Sequence, residues 1–147
     1  MKKNTEIIGQ LNELLADFQI FYQNLRGFHW NIQGKNFFEL HAKFEELYVD
    51  AAAKVDEIAE RILTISGTPM HGFQDYLDTA EIVPVKNVHD DETAVKTIIS
   101  NLEKIIEKER DIKELAGSVD DSGTEDQMSA FIEEQEKTLW MYKAWLK

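Results

Sequence analysis

The stretch "FHWNIQGKNFFELHAKFEELY", residues 28–48, decides the fold. Phe28 and Ile32 close a run whose apolar positions are Ile7, Ile8, Leu11, Leu14, Leu15, Phe18, Phe21, Tyr22 and Leu25. Steps of three and four residues are the period of one helical face, so a helix is predicted over about 4–32. Gly34 and Asn36 then mark a tight turn. A second stripe follows through Phe37, Leu40, Phe44, Leu47, Ala51, Val55, Ile58, Ile62 and Ile65. It predicts a helix over about 36–66, stopped by Gly67 and Pro69.

Working outward, Val95, Ile98, Ile99, Leu102, Ile105, Ile106, Ile112 and Leu115 form a third stripe ending at Gly117. Asp90 or Asp91 suits its N-cap. A fourth runs through Met128, Phe131, Ile132, Leu139, Tyr142 and Leu146, and Thr124 with Gln127 has capping-box spacing at its start. Four such helices predict an all-α, four-helix bundle as a single domain over residues 1–147. More than twenty residues separate the second and third helices. A structureless loop of that length is unusual in a compact domain, so "FQDYLDTA" is predicted to hold a short extra helix. The long link also lets helices two and three run parallel, as a crossover connection.

Composition sets the limits. The formal net charge is -12, which disfavours nucleic acid as a ligand of the folded body and suits cations. There are no cysteines, which excludes disulfides, thiolate catalysis and zinc–thiolate sites. The start, "MKKNTEIIGQ", has two lysines without the apolar core of a signal peptide, and no apolar run approaches the ~20 residues of a membrane span. A soluble, cytoplasmic protein is expected.

His29 lies near the end of the first predicted helix and His41 near the start of the second, so antiparallel packing brings them together. Glu45 is one turn beyond His41 on the same face. Imidazole with carboxylate suits iron, manganese or zinc. Asp56 and Glu60 share that face, but Asp56 lies ~22 Å along the axis from His41. A two-fold axis near Tyr48 and Val49 would bring His41 of one chain beside Asp56 of another. Each dimer would then hold two sites built from His29, His41 and Glu45 of one chain with Asp56 and Glu60 of its partner. Each feature also has an ordinary reading: a histidine at a helix end is commonly a cap, and an i,i+4 acidic pair a solvated face. His71 and His89 fall in the connection and are expected to be exposed and non-catalytic. The chain has no Glu-x-x-His, which argues against a site inside one bundle.

The segment "FHWNIQGKNFFELHAKFEELYVDAAAKVDEIAERILTISGTP" resembles the Dps family, the mini-ferritins named as DNA-binding proteins from starved cells. His29-Trp30-Asn31, Gly34, Leu40-His41, Asp56 to Arg61 and Gly67-x-Pro69 carry the match, with "GFQDYL" and "TLWMYKAWL" extending it. The resemblance implies a ferritin-like bundle assembled from two-fold dimers into a hollow homododecamer. It implies di-iron or mononuclear ferroxidase sites at the two-fold interfaces, with His29, His41, Glu45, Asp56 and Glu60 as ligands. Glu45 stands where the family commonly has Asp. The implied reaction is oxidation of Fe(II), preferably by hydrogen peroxide, with ferric oxide stored in the shell and protection from oxidative stress. Trp30 resembles the family's redox-active tryptophan, and it also reads as an interface or core aromatic. Asp120, Asp121, Glu125 and Asp126 fall where the family's three-fold, iron-admitting pores form; acids there also cap a helix. Only Lys2 and Lys3 precede the first predicted helix, so weak or absent DNA binding is expected. The alternatives are a nucleoid-associated DNA-binding protein with secondary iron chemistry, a metal-free structural bundle, and a site that works with zinc or manganese.

Overall fold

The computed structural model describes residues 2–147. Its elements are α1 (Lys2–Asn31), α2 (Phe37–Thr64), α3 (Phe73–Thr79), α4 (Asp91–Ser118) and α5 (Ser122–Trp145). Among the described residues every regular element is helical, and none is long and apolar enough to cross a membrane. Lys2 and Lys3, expected ahead of the first helix, lie within it. The short helix predicted in the long link is α3.

Side-chain bonds give the directions. Asn4 Nδ2 donates to Ile65 O at 3.2 Å near one end of the α1–α2 pair, and His29 meets His41 at the other, so the two helices are antiparallel. Asn24 with Asn101 and Glu13 with Lys108 make α1 antiparallel to α4. Hence α2 and α4 are parallel, as a crossover requires. Leu11, Leu14, Phe18, Leu25, Phe44, Ile58, Ile98 and Ile105 fill the core.

The crossover is tied down by polar side chains that periodicity does not predict. Buried Asp17 Oδ1 accepts from the backbone N–H groups of Glu81 (2.7 Å) and Ile82 (3.0 Å). Asn12 bonds both the carbonyl of Thr68 and the N–H of Met70, and Asn24 does the same for Val83 and Val85. A segment without a helical or sheet ladder must satisfy its backbone this way when it runs over a core.

Two helix boundaries differ in detail from the expected ones, and one agrees. Asp90 caps α4 as expected, its side chain accepting from Thr93 N at 2.8 Å. The cap of α5 is Asp121, not Thr124. Asp121 accepts from Thr124 N (3.1 Å) and from the Thr124 hydroxyl (2.7 Å), so Thr124 is the third helical residue and the expected Thr124–Gln127 capping box is absent. α2 ends at Thr64 because Ser66 takes a left-handed φ of 74°. Gly67 is needed for space instead: a Cβ there would lie 2.8 Å from a methyl of Ile8.

Besides Asp17, the ionisable side chains of Lys54 and Glu109 are buried. Lys54 Nζ meets Asp50 at 2.7 Å and Glu134 at 3.6 Å, which compensates its desolvation. Glu109 is fully buried and accepts from Gln135 Nε2. Burial pushes its carboxyl up to about 8, against the lowering effects of Gln135 and Lys54. The folded protein therefore holds a proton that the unfolded chain releases at ordinary glutamate pH, and stability falls as pH rises from about 4.5 to about 8. Glu109→Gln should accordingly melt higher than the native chain at pH 8.5, with a stability gain on the order of 5 kcal/mol that vanishes near pH 4.5. Thermal melts across that range check this; parallel pH profiles for the two proteins would contradict it.

Candidate metal centre

The turn between α1 and α2 sets two imidazoles face to face. Gly34 makes the turn with φ 112°, a conformation natural only to glycine. The rings of His29 and His41 stack with centroids 3.8 Å apart and planes 11° from parallel. His29 Nδ1 bonds the backbone carbonyl of His41 at 2.6 Å, and His41 Nδ1 bonds that of His29 at 2.7 Å. A carbonyl only accepts, so each Nδ1 must carry the proton. Both Nε2 atoms are then left with free lone pairs in the neutral rings. This is the usual way a metal-binding histidine is oriented by the groups around it.

Neighbouring rings hold the pair. Phe37 stacks on His41 at 4.9 Å, and Tyr48 meets His29 edge-on at 5.3 Å. Their offsets, i−4 and i+7 from His41, are same-face helical spacings, but nothing local marks these residues as supports rather than core. The two backbone carbonyls carry no sequence signal at all.

Glu45 Oε1 lies 3.6 Å from His29 Nε2, so the longer side chain still reaches the imidazole. His29 is buried, His41 half-buried and Glu45 exposed, so the pair runs from the bundle interior toward its surface. Asp56 and Glu60 are exposed further along α2 and do not join the histidines within one chain. Among the described residues, no group of three or more His, Asp or Glu is close enough to hold a metal ion.

Large apolar side chains share this face. Phe38, Val49 and Leu63 on α2 and Trp30 at the end of α1 are all more than half exposed. Positions 38, 45, 49, 52, 56 and 63 of α2 follow the three-four spacing of a helix-packing seam.

Of the acids near the start of α5, Asp120 and Asp126 are exposed. Asp121 is engaged as the cap and bonds Arg61 Nη2 at 2.7 Å. Burial would raise its carboxyl, but the bonds from Thr124 and the Arg61 guanidinium hold it below the usual carboxylate range. Glu125 folds back toward Gly117 and approaches Lys113 at 3.8 Å. His71 and His89 are exposed, as expected; their Nδ1 atoms bond the carbonyls of Pro69 and Asn31.

Residues 8–147 match the family described as Ferritin-like domain. A crystal structure of a Dps protein from Vibrio cholerae O1 superposes with a TM-score of 0.98 at 49% identity, covering 99% of this chain and 92% of that one. This chain belongs to the Dps family of the ferritin-like superfamily. The Vibrio protein is described as one of a broad superfamily of ferritin-like diiron-carboxylate proteins. A "DNA protection during starvation protein" from Porphyromonas gingivalis is 44% identical over 95% of this chain and 87% of its own length. The "DNA protection during starvation protein 2" of Bacillus anthracis is 37% identical over 97% and 98%.

The hydrogen bonding at this Dps turn makes a direct spectroscopic prediction. Nitrogen-15 correlation spectra at neutral pH should show His29 and His41 as Nδ1–H tautomers. An Nε2–H tautomer at either would mean that its lone pair is not available as described.

Proposed function

We propose that this chain oxidises Fe(II) at sites shared between two subunits and stores the ferric product in a hollow shell, here a homododecamer. The observation that carries the reading is the reciprocal pair of Nδ1–carbonyl bonds. It leaves two imidazole nitrogens free on the helical face that also bears Asp56 and Glu60. Membership of a family with ferritin-like diiron-carboxylate relatives supports iron as the substrate.

The exposed residues favour one way of completing the site. Antiparallel pairing of two α2 helices about a point between Asp50 and Ala51 sets Phe38 opposite the partner subunit's Leu63, and Val49 opposite the partner subunit's Ala52. The same register sets Glu45 opposite the partner subunit's Asp56, and His41 opposite the partner subunit's Glu60. Apolar positions then meet apolar ones, and each pair of histidines gains two carboxylates. This places the axis about two residues beyond the Tyr48–Val49 estimate, a shift on the order of 3 Å.

In the completed site, the His29 and His41 nitrogens hold ferrous iron, and the carboxylates of Glu45 and the partner subunit's Asp56 and Glu60 favour the harder ferric ion. Two ferrous ions give one electron each to a hydrogen peroxide molecule, which takes up two protons and leaves as two waters. Coupled transfer consumes both reagents of hydroxyl-radical formation together, which is the protective role against oxidative stress. Trp30, with the Arg26 guanidinium 4.7 Å from its ring centre, is exposed beside His29 and placed to surrender an electron when oxidation runs astray. Asp126, with Glu125 and Asp120 near it, is the better pore candidate, because Asp121 is held as a cap. The setting is the cytoplasm.

Mixing His41→Ala chains with Asp56→Ala chains tests the shared site. Each parent shell should lose peroxide-driven iron oxidation by about a hundredfold. Mixed dimers should regain it, because one of their two sites keeps both residues. No recovery in verified mixed dimers would sink the shared-site reading.

The net charge of -12 opposes phosphate, so DNA binding through the folded shell should be weak. In a gel shift at about 0.15 M salt and pH 7.5, the shells should leave duplex DNA unretarded. Stable complexes there would favour the nucleoid-binding alternative.

A further inference from the structure

The turn that carries the two imidazoles is held from outside, by a distant part of the chain. Residues 32–36 join α1 to α2, and Gly34 in their midst gives the link more backbone freedom than any other residue would. A stack with ring centres 3.8 Å apart nonetheless needs both helix ends in a fixed register.

Three hydrogen bonds from residues 89–91 hold that register. His89 Nδ1 bonds the carbonyl of Asn31 at 3.2 Å, and since a carbonyl only accepts, this nitrogen donates. Asn31 is the last residue of α1, so its carbonyl is one that the helix itself leaves unpaired. The N–H of Gln33 donates to the carbonyl of His89 at 2.8 Å. Asn36 Nδ2 donates to Asp91 Oδ2 at 2.8 Å. The end of α1, the middle of the turn and the start of α2 are thus each tied to one short segment.

The bond at Asn36 is the informative one. Asn36 stands at the N-cap of α2, where asparagine ordinarily turns its side chain onto the first N–H groups of its own helix. Here it makes no such bond, and its amide reaches across to Asp91 instead. A helix gives up stability by forgoing a cap. In exchange, α2 is fixed to α4 five residues before His41. The α4 helix is capped separately, by Asp90 accepting from Thr93 N at 2.8 Å, so the Asp91 carboxylate is free for Asn36. Both Asn36 and Asp91 are half-buried, which shields their bond from water.

We propose that His89 and Asp91 are positioning residues for the metal centre. They hold the α1–α2 turn in the register in which His29 and His41 stack and bond each other's carbonyls. Neither is a metal ligand, and each acts through the backbone between the two histidines. Their importance to iron chemistry rests on the shared-site reading above; their hold on the imidazoles does not.

Metal-free shells carrying nitrogen-15 histidine test that hold directly. In the native protein His29 and His41 should each give a single Nδ1–H tautomer. In the double variant His89→Ala with Asp91→Ala, both should become tautomer mixtures that include Nε2–H. The pair His89→Asn with Asp91→Asn should restore the native signals, because an asparagine N–H replaces Nδ1–H of His89 and an asparagine oxygen replaces the acceptor of Asp91. Calorimetric titration with Co(II) reads the consequence for metal. The alanine pair should bind it about tenfold more weakly than the native shells, the low end for an outer partner of a metal ligand, and the asparagine pair within about twofold of native.

Unchanged tautomers or an unchanged Co(II) affinity in intact alanine shells would overturn the proposal, even with a lowered melting temperature, because a merely structural role predicts that pattern. Failure of the asparagine pair to restore what alanine removes would overturn it as well, since hydrogen bonding would then not be the cause. Native shells that bind Co(II) but leave Fe(II) unoxidised would remove the iron reading, while the positioning role would stand on the spectra and the Co(II) affinities. Should the alanine pair fail to assemble, His89→Ala alone, which removes an exposed side chain, is compared with His89→Asn by the same two measurements.

Discussion

Two hydrogen bonds between imidazoles and backbone carbonyls hold together what matters most in this chain. Each histidine ties itself to the other's main chain, so neither ring can turn without breaking a bond and a stack. The arrangement needs a short, sharp turn, and Gly34 supplies it with a φ of 112°. It also needs α1 and α2 antiparallel and in a fixed register, which the apolar stripes provide. The protons this geometry fixes on Nδ1 leave lone pairs on Nε2, so one local constraint sets both the fold at this corner and the chemistry available there.

The crossover has a consequence for assembly. With α2 and α4 parallel, the chain needs a long connection, and Asn12, Asp17 and Asn24 hold it against α1 through their side chains. On α2, two surfaces then face in different directions. One bears His41, the exposed carboxylates of Glu45, Asp56 and Glu60, and uncovered Phe38, Val49 and Leu63. The other forms the wall of a cleft beside α5. A helix with two such surfaces, in addition to its core stripe, is not specified by the packing of one bundle.

The interior of the bundle differs in kind from the surface site. Lys54 already sits among Asp50 and Glu134, and Glu109 is kept protonated to about 8 by burial. The buried carboxylates are neutral, as Glu109 is, or bonded to backbone N–H groups, as Asp17 is, which leaves little attraction for a metal ion there. The His29–His41 pair opens instead toward the exposed Glu45, and Asp56 and Glu60 are exposed further along α2. That division agrees with the absence of Glu-x-x-His from the sequence.

Periodicity was enough to read four long helices, the turn at Gly34, the short helix from Phe73 and the parallel crossover, because each depends on the spacing of apolar residues or on chain length. The meeting of His29 and His41 was legible for the same reason: both lie within a few residues of one turn. Which polar residue caps α5 was not legible, since Asp121 and Thr124 are both good caps and the Arg61 contact that favours Asp121 comes from sixty residues away. The end of α2 was misplaced because Ser66, not Gly67, takes the left-handed conformation, while the space beside Ile8 requires the glycine. Tautomers, the Lys54 and Glu109 burials and the cleft beside α5 were likewise beyond reach. Sequence spacing determines which residues share a face of one helix; only tertiary packing decides which groups meet across helices, and there hydrogen-bond partners and desolvation set the chemistry.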